Sequence, residues 1–343
     1  MTELPKLPQP KIIDLHNANS VRWGIIGAGG IATSFATALQ KHTNHQVVAV
    51  GSRTPGKAAE FAAPLGIETA YDSYEELLAD PNVDAVYVAT IPGDHLKHAL
   101  QVIEAGKPVL VEKPIALSSA DAETLFAAAK AKGVLAMEAM WMAYQPQTFI
   151  AKQSIAQGQV GDIKLVIADF TQELGWVDRL WQPGGGSPMF DCGIYPVTFA
   201  YQYLGVPSKI RSLGKFGKNG YEAEVVSYWE YDSGATAIIT LSMNADADHH
   251  GTVAGTAGSL EFKPPFFVNN GLSLLPAEFN AVGEQWLDET GVVGHEGLLW
   301  QALYFGEFLA KGLTESPVHG PQGTINCLRI VETIREQIGA PKA

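Results

Sequence analysis

The sequence predicts a two-part α/β chain, a doubly wound parallel sheet followed by an α+β domain on an antiparallel sheet. Three observations carry this. From Val21 to about Met142, short apolar runs alternate with amphipathic stretches. A glycine-rich turn, Gly27-Ala28-Gly29-Gly30-Ile31-Ala32, closes the first apolar run. Beyond Tyr144 the runs lengthen, alternate with polar residues and are joined by turn residues.

The first strand is Val21 to Ile26, and after the glycines Ile31, Phe35, Ala38 and Leu39 recur at helical spacing. Further strands are expected at Gln46 to Gly51, Glu68 to Tyr71, Ala85 to Thr90, Pro108 to Glu112 and Val134 to Glu138, with helices between. Ser73 with Glu76 and Ser118 with Asp121 have the spacing of capping boxes. Asp94 is placed to cap a helix whose Leu96, Ala99, Leu100 and Ile103 share one face. In the second part, Val225 to Tyr231 and Ala235 to Met243 flank a hairpin turn at Asp232-Ser233-Gly234. Gly255 to Gly258 reads as another turn before Ser259 to Phe262, and helices close the chain at Leu298 to Lys311 and Thr324 to Ile338, with Gly339 as C-cap. The division is an arm at 1–20, a dinucleotide-binding domain at 21–143 and a substrate and oligomerisation domain at 144–343. The arm, with Pro5, Pro8 and Pro10, is either disordered or laid on another subunit, disorder being preferred.

Composition narrows the partners. A formal charge of −13 over 343 residues opposes binding to a polyanion, so neither nucleic acid nor an anionic membrane is expected. Cys192 and Cys327 have neither a disulfide framework nor zinc spacing, and no run reaches membrane-spanning length. The opening residues lack a signal-peptide pattern, which places the protein in the cytoplasm.

The glycine turn fits a pyrophosphate. Gly27 permits the tight turn, Gly29 lets the backbone approach the phosphates, and Ala32 allows close helix packing, with the helix N-terminus facing the anion. About 20 positions on, where an acidic residue would hold the ribose hydroxyls of NAD, the chain reads Gly51-Ser52-Arg53. A neutral hydroxyl followed by a guanidinium suits a 2′-phosphate, which favours NADP over NAD. Lys57 either assists or is a solvated helix start, and Arg53 itself could instead face solvent.

Lys113 follows the apolar run Pro108 to Glu112, at the strand end where ligands of doubly wound sheets sit. Pro114 keeps it extended and leaves both peptide isomers open. Ser187-Pro188 reads as an N-cap and first helical residue, starting a helix that puts Asp191 and Tyr195 on one face. Asp191 serves either the chemistry or the helix dipole; Tyr195 is either an acid/base or a core residue. Trp141, Trp176 and Trp181, with Asp178 and Arg179, could supply aromatic walls and polar contacts for a sugar, or simple domain packing. His249-His250 lie on opposite faces of a strand with no third ligand, so no metal is expected.

In order, the glycine turn, Ala89-Thr90 with His95 and His98, Ala105-Gly106-Lys107-Pro108-Val109-Leu110-Val111-Glu112-Lys113-Pro114 and Asp191-Cys192-Gly193-Ile194-Tyr195 resemble the glucose-fructose oxidoreductase and inositol dehydrogenase family. Met137-Glu138-Ala139-Met140-Trp141 and Gly184-Gly185-Gly186-Ser187 resemble its dihydrodiol dehydrogenase and NADP-dependent xylose dehydrogenase branch. The resemblance implies a Rossmann domain followed by a large open antiparallel sheet that pairs subunits into a homodimer or homotetramer. It implies nucleotide binding by Gly27, Gly29, Gly30, Ile31, Ala32, Ser52, Arg53, Thr90, His95, Glu112 and Lys113, catalysis by Lys113, Tyr195 and Asp191, and substrate contacts from Trp141, Trp176 and Arg179. His95 would face the nicotinamide or be purely structural. The expected reaction is hydride transfer between nicotinamide and a carbinol carbon of an aldose such as xylose or of a trans-dihydrodiol, sugar being preferred. The alternatives are an aldose-aldose oxidoreductase with tightly held NADP and a non-catalytic NADP-binding regulator.

Overall fold

The computed structural model describes residues 6–10, 12–278 and 282–342. The first five residues, Pro5 of the expected arm among them, lie outside the described residues. By internal packing the chain divides into two compact units. One comprises Ile13–Tyr144 with Gly294–Ile325, the other Met1–Ile12, Gln145–Val293 and Asn326–Ala343.

In the first unit, β1 (Arg22–Ile26), β2 (Gln46–Gly51), β3 (Thr69–Tyr71), β4 (Ala85–Val88), β5 (Val109–Glu112) and β6 (Ala136–Ala139) alternate with α1 (Gly30–His42), α2 (Lys57–Leu65), α3 (Tyr74–Ala79), α4 (His95–Glu104) and α5 (Ser119–Lys132). All strand pairs are parallel, in the order β3-β2-β1-β4-β5-β6. The order reverses between β1 and β4, whose carboxyl ends carry Gly27 and Ala89. The central strands are buried along their length, which is why they read as continuous apolar runs. Ser73 and Ser118 cap their helices as expected, accepting from the backbone N–H of Glu76 at 3.0 Å and Asp121 at 3.1 Å. Asp94 departs from expectation. A 3₁₀ turn, Pro92–Asp94, precedes α4, and the carboxylate accepts from Arg53 Nη2 at 3.2 Å instead of capping the helix.

In the second unit, α6 (Pro146–Ala156), β7 (Ile163–Thr171) and α7 (Ile194–Leu204) precede seven strands. These are β8 (Lys209–Phe216), β9 (Glu222–Glu230), β10 (Thr236–Ser242), β11 (Gly251–Gly255), β12 (Gly258–Phe262), β13 (Gly271–Pro276) and β14 (Glu284–Leu287). They form one sheet in the order β14-β13-β12-β11-β7-β10-β9-β8, antiparallel except where β7 and β10 pair in parallel. One face carries the core residues Val225, Trp229, Ala237, Ile239 and Leu241. The other leaves Ile167, Val226 and Tyr228 exposed.

Two findings depart from the sequence division. The helix α8 (Leu298–Ala310), with Leu299, Trp300 and Phe305 buried, belongs with the parallel-sheet unit, whereas most of α9 (Pro321–Ile338) belongs with the other. The arm is not loose at residues 6–10. Leu7 is buried, its N–H donates to Glu284, beside β13, and the Lys6 carbonyl accepts from Gln159 Nε2 at 2.5 Å, so a buried apolar side chain and bonds to the backbone dock this short segment.

Candidate active site

At the end of β1 the chain must turn at once, and Gly27 does so with φ +105°, a left-handed value that disfavours any side chain. A Cβ there would lie 2.6 Å from the Ala89 carbonyl oxygen, so the turn also needs the missing side chain. At Gly29 and Gly30 a Cβ would meet nothing within 4 Å, leaving open space over the start of α1. That helix has no side-chain N-cap and no acidic residue in its first turn, so its leading N–H groups suit an anion such as a pyrophosphate. Ile31 continues the same first turn, and Ala32 is fully buried, as close helix packing requires.

At the end of β2, Ser52 is buried and accepts from the Thr54 N–H at 3.2 Å. Arg53 is half exposed, lies 5.6 Å over the Tyr74 ring and is paired with Asp94. No acidic side chain occupies positions 52 or 53; the carboxylate paired with Arg53 is that of Asp94, from the turn before α4. Lys57 opens α2.

Lys113 leaves β5 through a cis Lys113–Pro114 bond. Its own N–H donates to Glu112 Oε2 at 3.1 Å, and the other oxygen of that buried carboxylate accepts from the Tyr87 hydroxyl. His95, also buried, sets Nδ1 2.8 Å from the Pro114 carbonyl oxygen and Nε2 3.0 Å from that of Thr90. A neutral imidazole donates to only one of these. The Thr90 hydroxyl pairs with His98 Nδ1 at 3.1 Å, and burial pushes the His98 imidazole down to about 4. Thr90, His95, Glu112 and Lys113 are therefore brought together by strand ends and by α4.

Trp141, nearly fully buried, stacks on His295 with ring centroids 5.8 Å apart. Partial burial and then the Lys113 ammonium hold the His295 imidazole below its ordinary value, though the residue keeps solvent contact. His295 was missed in the sequence. It sits in a short turn, Gly294–Gly297, far from any motif, and no pattern marks it.

Asp191 and Tyr195 lie in the other unit, and the helix there starts differently from expectation. Ser187 has φ +43° and is not an N-cap; its buried hydroxyl donates to Glu222 at 2.6 Å. The chain then winds as a π-helical turn, Met189–Gly193, before α7 begins at Ile194. Asp191 thus sits on the wider turn and Tyr195 on the α-helix, and simple i,i+4 spacing no longer describes the pair. Glu222 also accepts from the Met189 N–H at 3.0 Å and lies 3.2 Å from Arg335 Nε. Its burial breaks the strand alternation in which Val225, Ser227 and Trp229 face inward, so sequence periodicity hides it.

Arg179 Nη2 donates to Asp191 at 2.7 Å and Nη1 donates to the Gly185 carbonyl at 3.1 Å. A Cβ at Gly185 would lie 1.6 Å from the Arg179 carbonyl oxygen, and Gly184 and Gly186 take φ +75° and +106°, so each glycine of the run is required. The Tyr195 ring is stacked between Phe267 at 4.7 Å and Phe170 at 6.1 Å. Trp176 is 71% exposed, whereas Trp181 is buried with Nε1 donating to Leu174. His249 is buried and His250 exposed, and among the described residues no group of three or more His, Cys, Asp or Glu could hold a metal ion.

Comparisons with known proteins bear on both units. A family model described as an oxidoreductase family with an NAD-binding Rossmann fold matches residues 21–140, and the C-terminal domain model of the same family matches 150–261. The chain is 33% identical to the trans-1,2-dihydrobenzene-1,2-diol dehydrogenase of Mus musculus, over 93% of this chain and 97% of the relative. The chain belongs to the GFO/IDH/MocA oxidoreductase family. Among GFO/IDH/MocA structures, a levoglucosan dehydrogenase in complex with NADH and levoglucosan superposes with a TM-score of 0.82 at 20% identity, covering 93% of this chain and 97% of that one. KijD10, a 3-ketoreductase from Actinomadura kijaniata in complex with TDP-benzene and NADP, superposes with a TM-score of 0.77 at 25% identity, over 93% and 98%. The two neighbours hold different nicotinamide nucleotides. Membership makes the chain an oxidoreductase with a nicotinamide-nucleotide-binding Rossmann domain.

Proposed function

We propose that this protein is an NADP-dependent dehydrogenase oxidising a ring carbinol of a cyclic trans-diol or an aldose. The observation that carries the reading is the full-length similarity to dihydrodiol dehydrogenases, joined to a phosphate-compatible Ser52-Arg53 pair. Gly27 to Ala32, Ser52 and Arg53 would hold the nucleotide, with Thr90, His95, Glu112 and Lys113 at its nicotinamide end. When bound, the nicotinamide supplies the hydride acceptor.

Lys113 and Tyr195 are the proposed acid–base pair. A phenol titrates near ~10, too high for a base at neutral pH, and a neighbouring ammonium favours its ionised form. The Arg179–Asp191 ion pair would orient substrate hydroxyls, with Trp141 and Trp176 as candidate aromatic contacts. The parallel-sheet unit would serve the nucleotide, the antiparallel unit the substrate and subunit pairing, in the cytoplasm. Pairing would use the open sheet face, where Ile167, Leu213, Val226 and Tyr228 are exposed on neighbouring strands. A single-chain mass in sedimentation would overturn that assignment.

The test of the activity is near-ultraviolet absorbance with NADP and NAD separately, across pentoses, hexoses, inositols and a trans-dihydrodiol. Reduction of NADP by one class is the expected result. Silence throughout, with nucleotide still bound, would favour a sugar-to-sugar shuttle with tightly held NADP or a non-catalytic regulator.

A further inference from the structure

A lysine side chain carries its ammonium on four rotatable carbons, so its placement depends first on how firmly the backbone beneath it is held. Around Lys113 successive backbone polar groups are each tied to a buried side chain. The Lys113 N–H donates to Glu112, the Pro114 carbonyl faces His95, and the Ile115 N–H donates to Glu138 Oε1 at 3.0 Å. The peptide unit joining Pro114 to Ile115 is thus gripped at both its oxygen and its N–H.

Glu138 is 1% exposed and interrupts the apolar run Ala136-Met137-Glu138-Ala139-Met140, where an acid must be partnered to be tolerated. Its second oxygen accepts from Thr324 Oγ1 at 2.9 Å and lies 3.1 Å from His319 Nε2. Both partners belong to the late segment that rejoins the parallel-sheet unit. That segment is itself organised around Ser316, whose hydroxyl accepts from the N–H of Val318 and of His319 and pairs with the buried Tyr144 hydroxyl at 2.8 Å.

We propose that Glu138, braced by His319 and Thr324, is a positioning residue for Lys113, acting through the Ile115 N–H. The proposal rests on the reading of Lys113 as part of the acid–base pair. It makes the part of the late segment around His319 and Thr324 a strut for the backbone beneath Lys113.

Glu138→Gln tests it, because an amide keeps one accepting oxygen and puts an NH₂ in place of the other, facing either the Ile115 N–H or the Thr324 and His319 side chains. The expected result, in the full chain, is a kcat lower by about 10- to 100-fold, with NADP affinity by fluorescence titration within about twofold of wild type. A structural role alone would not predict the second result, which comes from the double mutant. In a Lys113→Ala background, with methylammonium supplied in solution, Glu138→Gln should change the rate by less than about twofold, since no tethered ammonium remains to misplace.

A wild-type kcat for Glu138→Gln, or a full multiplicative loss in the Lys113→Ala background, would overturn the proposal. Should Glu138→Gln fail to fold, Thr324→Val removes one brace and should show the same non-additive pattern at about three- to tenfold; no loss, or a multiplicative one, overturns it equally. Wild-type activity in Lys113→Ala alone would sink the reading of Lys113 and the proposal with it. A dead Lys113→Ala beside a fully active Glu138→Gln would sink only the proposal.

Discussion

Buried carboxylates tie down backbone at Lys113 and, two residues before Asp191, at Met189, yet the two units arrive there differently. In the parallel-sheet unit the backbone does most of the positioning. Gly27 turns the chain against Ala89, the strand ends converge at the reversal of strand order, and buried acids and His95 then tie down backbone atoms. In the antiparallel unit the site hangs on side chains. Glu222 holds Ser187 and the Met189 N–H, the π-helical turn follows, and Arg179 is drawn to Asp191 by an ion pair. Backbone devices leave short glycine, proline and strand signatures in a sequence. Side-chain devices join residues 12 to 35 positions apart and leave none.

Substitution at Gly27 gives the largest effect expected from this contrast. Gly27→Ala meets both an unfavourable φ and a carbonyl 2.6 Å away, so the turn must shift. Nucleotide affinity should fall by at least about 100-fold, the parallel-sheet unit losing roughly 2–4 kcal/mol while the antiparallel unit keeps its exchange protection. An alanine variant that binds NADP normally would mean the backbone is not what positions this end.

Smaller, and confined to the other unit, is the effect of Arg179→Ala. It leaves Asp191, nearly buried, without its cation, and kcat/KM should fall by about 10- to 100-fold, with nucleotide affinity unchanged in a fluorescence titration. Loss of nucleotide binding in this variant would show that the two units do not divide the work as proposed.

Acid should separate the units by the smallest margin. Burial holds the imidazoles of His45 and His98 down to about 4, and Trp23 Nε1 donates to His45 Nδ1, a bond that needs the neutral ring. Unfolded, both titrate near ~6.5. Stability is therefore undiminished above about 6.5, falls as the pH drops towards about 4 and reaches its full loss below that, each histidine having cost about 2 kcal/mol by pH 5. In the antiparallel unit burial holds the His249 imidazole low as well. Hydrogen exchange compared at pH 7 and pH 5 should show the parallel sheet opening first, and the reverse order would refute this.

The same contrast explains what could be read from the sequence. Every strand of the parallel sheet was legible to within two residues at each end, the fully buried β4, β5 and β6 most plainly because they are nearly continuous apolar runs. The hairpin at Asp232-Ser233-Gly234 was equally plain. Helix starts fared worse where side chains had competing partners. Asp94 had the right position for a cap and Ser187 the right residue type, but Arg53 claimed the first and Glu222 the second. Leu7 shows the remaining limit. One apolar residue in a proline-rich segment carries no periodicity, so its docking beside Glu284 could not be anticipated.

The return of Gly294–Ile325 to the parallel-sheet unit also orders events on the ribosome. At about 5–20 residues per second, the gap between emergence of Tyr144 and of Ile325 is roughly 10–40 s, during which the sheet waits without the helix that buries Trp300 and without the residues that brace Glu138. The antiparallel unit's own strands are all made within that interval. A fragment ending at Tyr144 would therefore hold every strand of the parallel sheet and still be an unfinished body, its surface completed only once the segment through Ile325 has emerged.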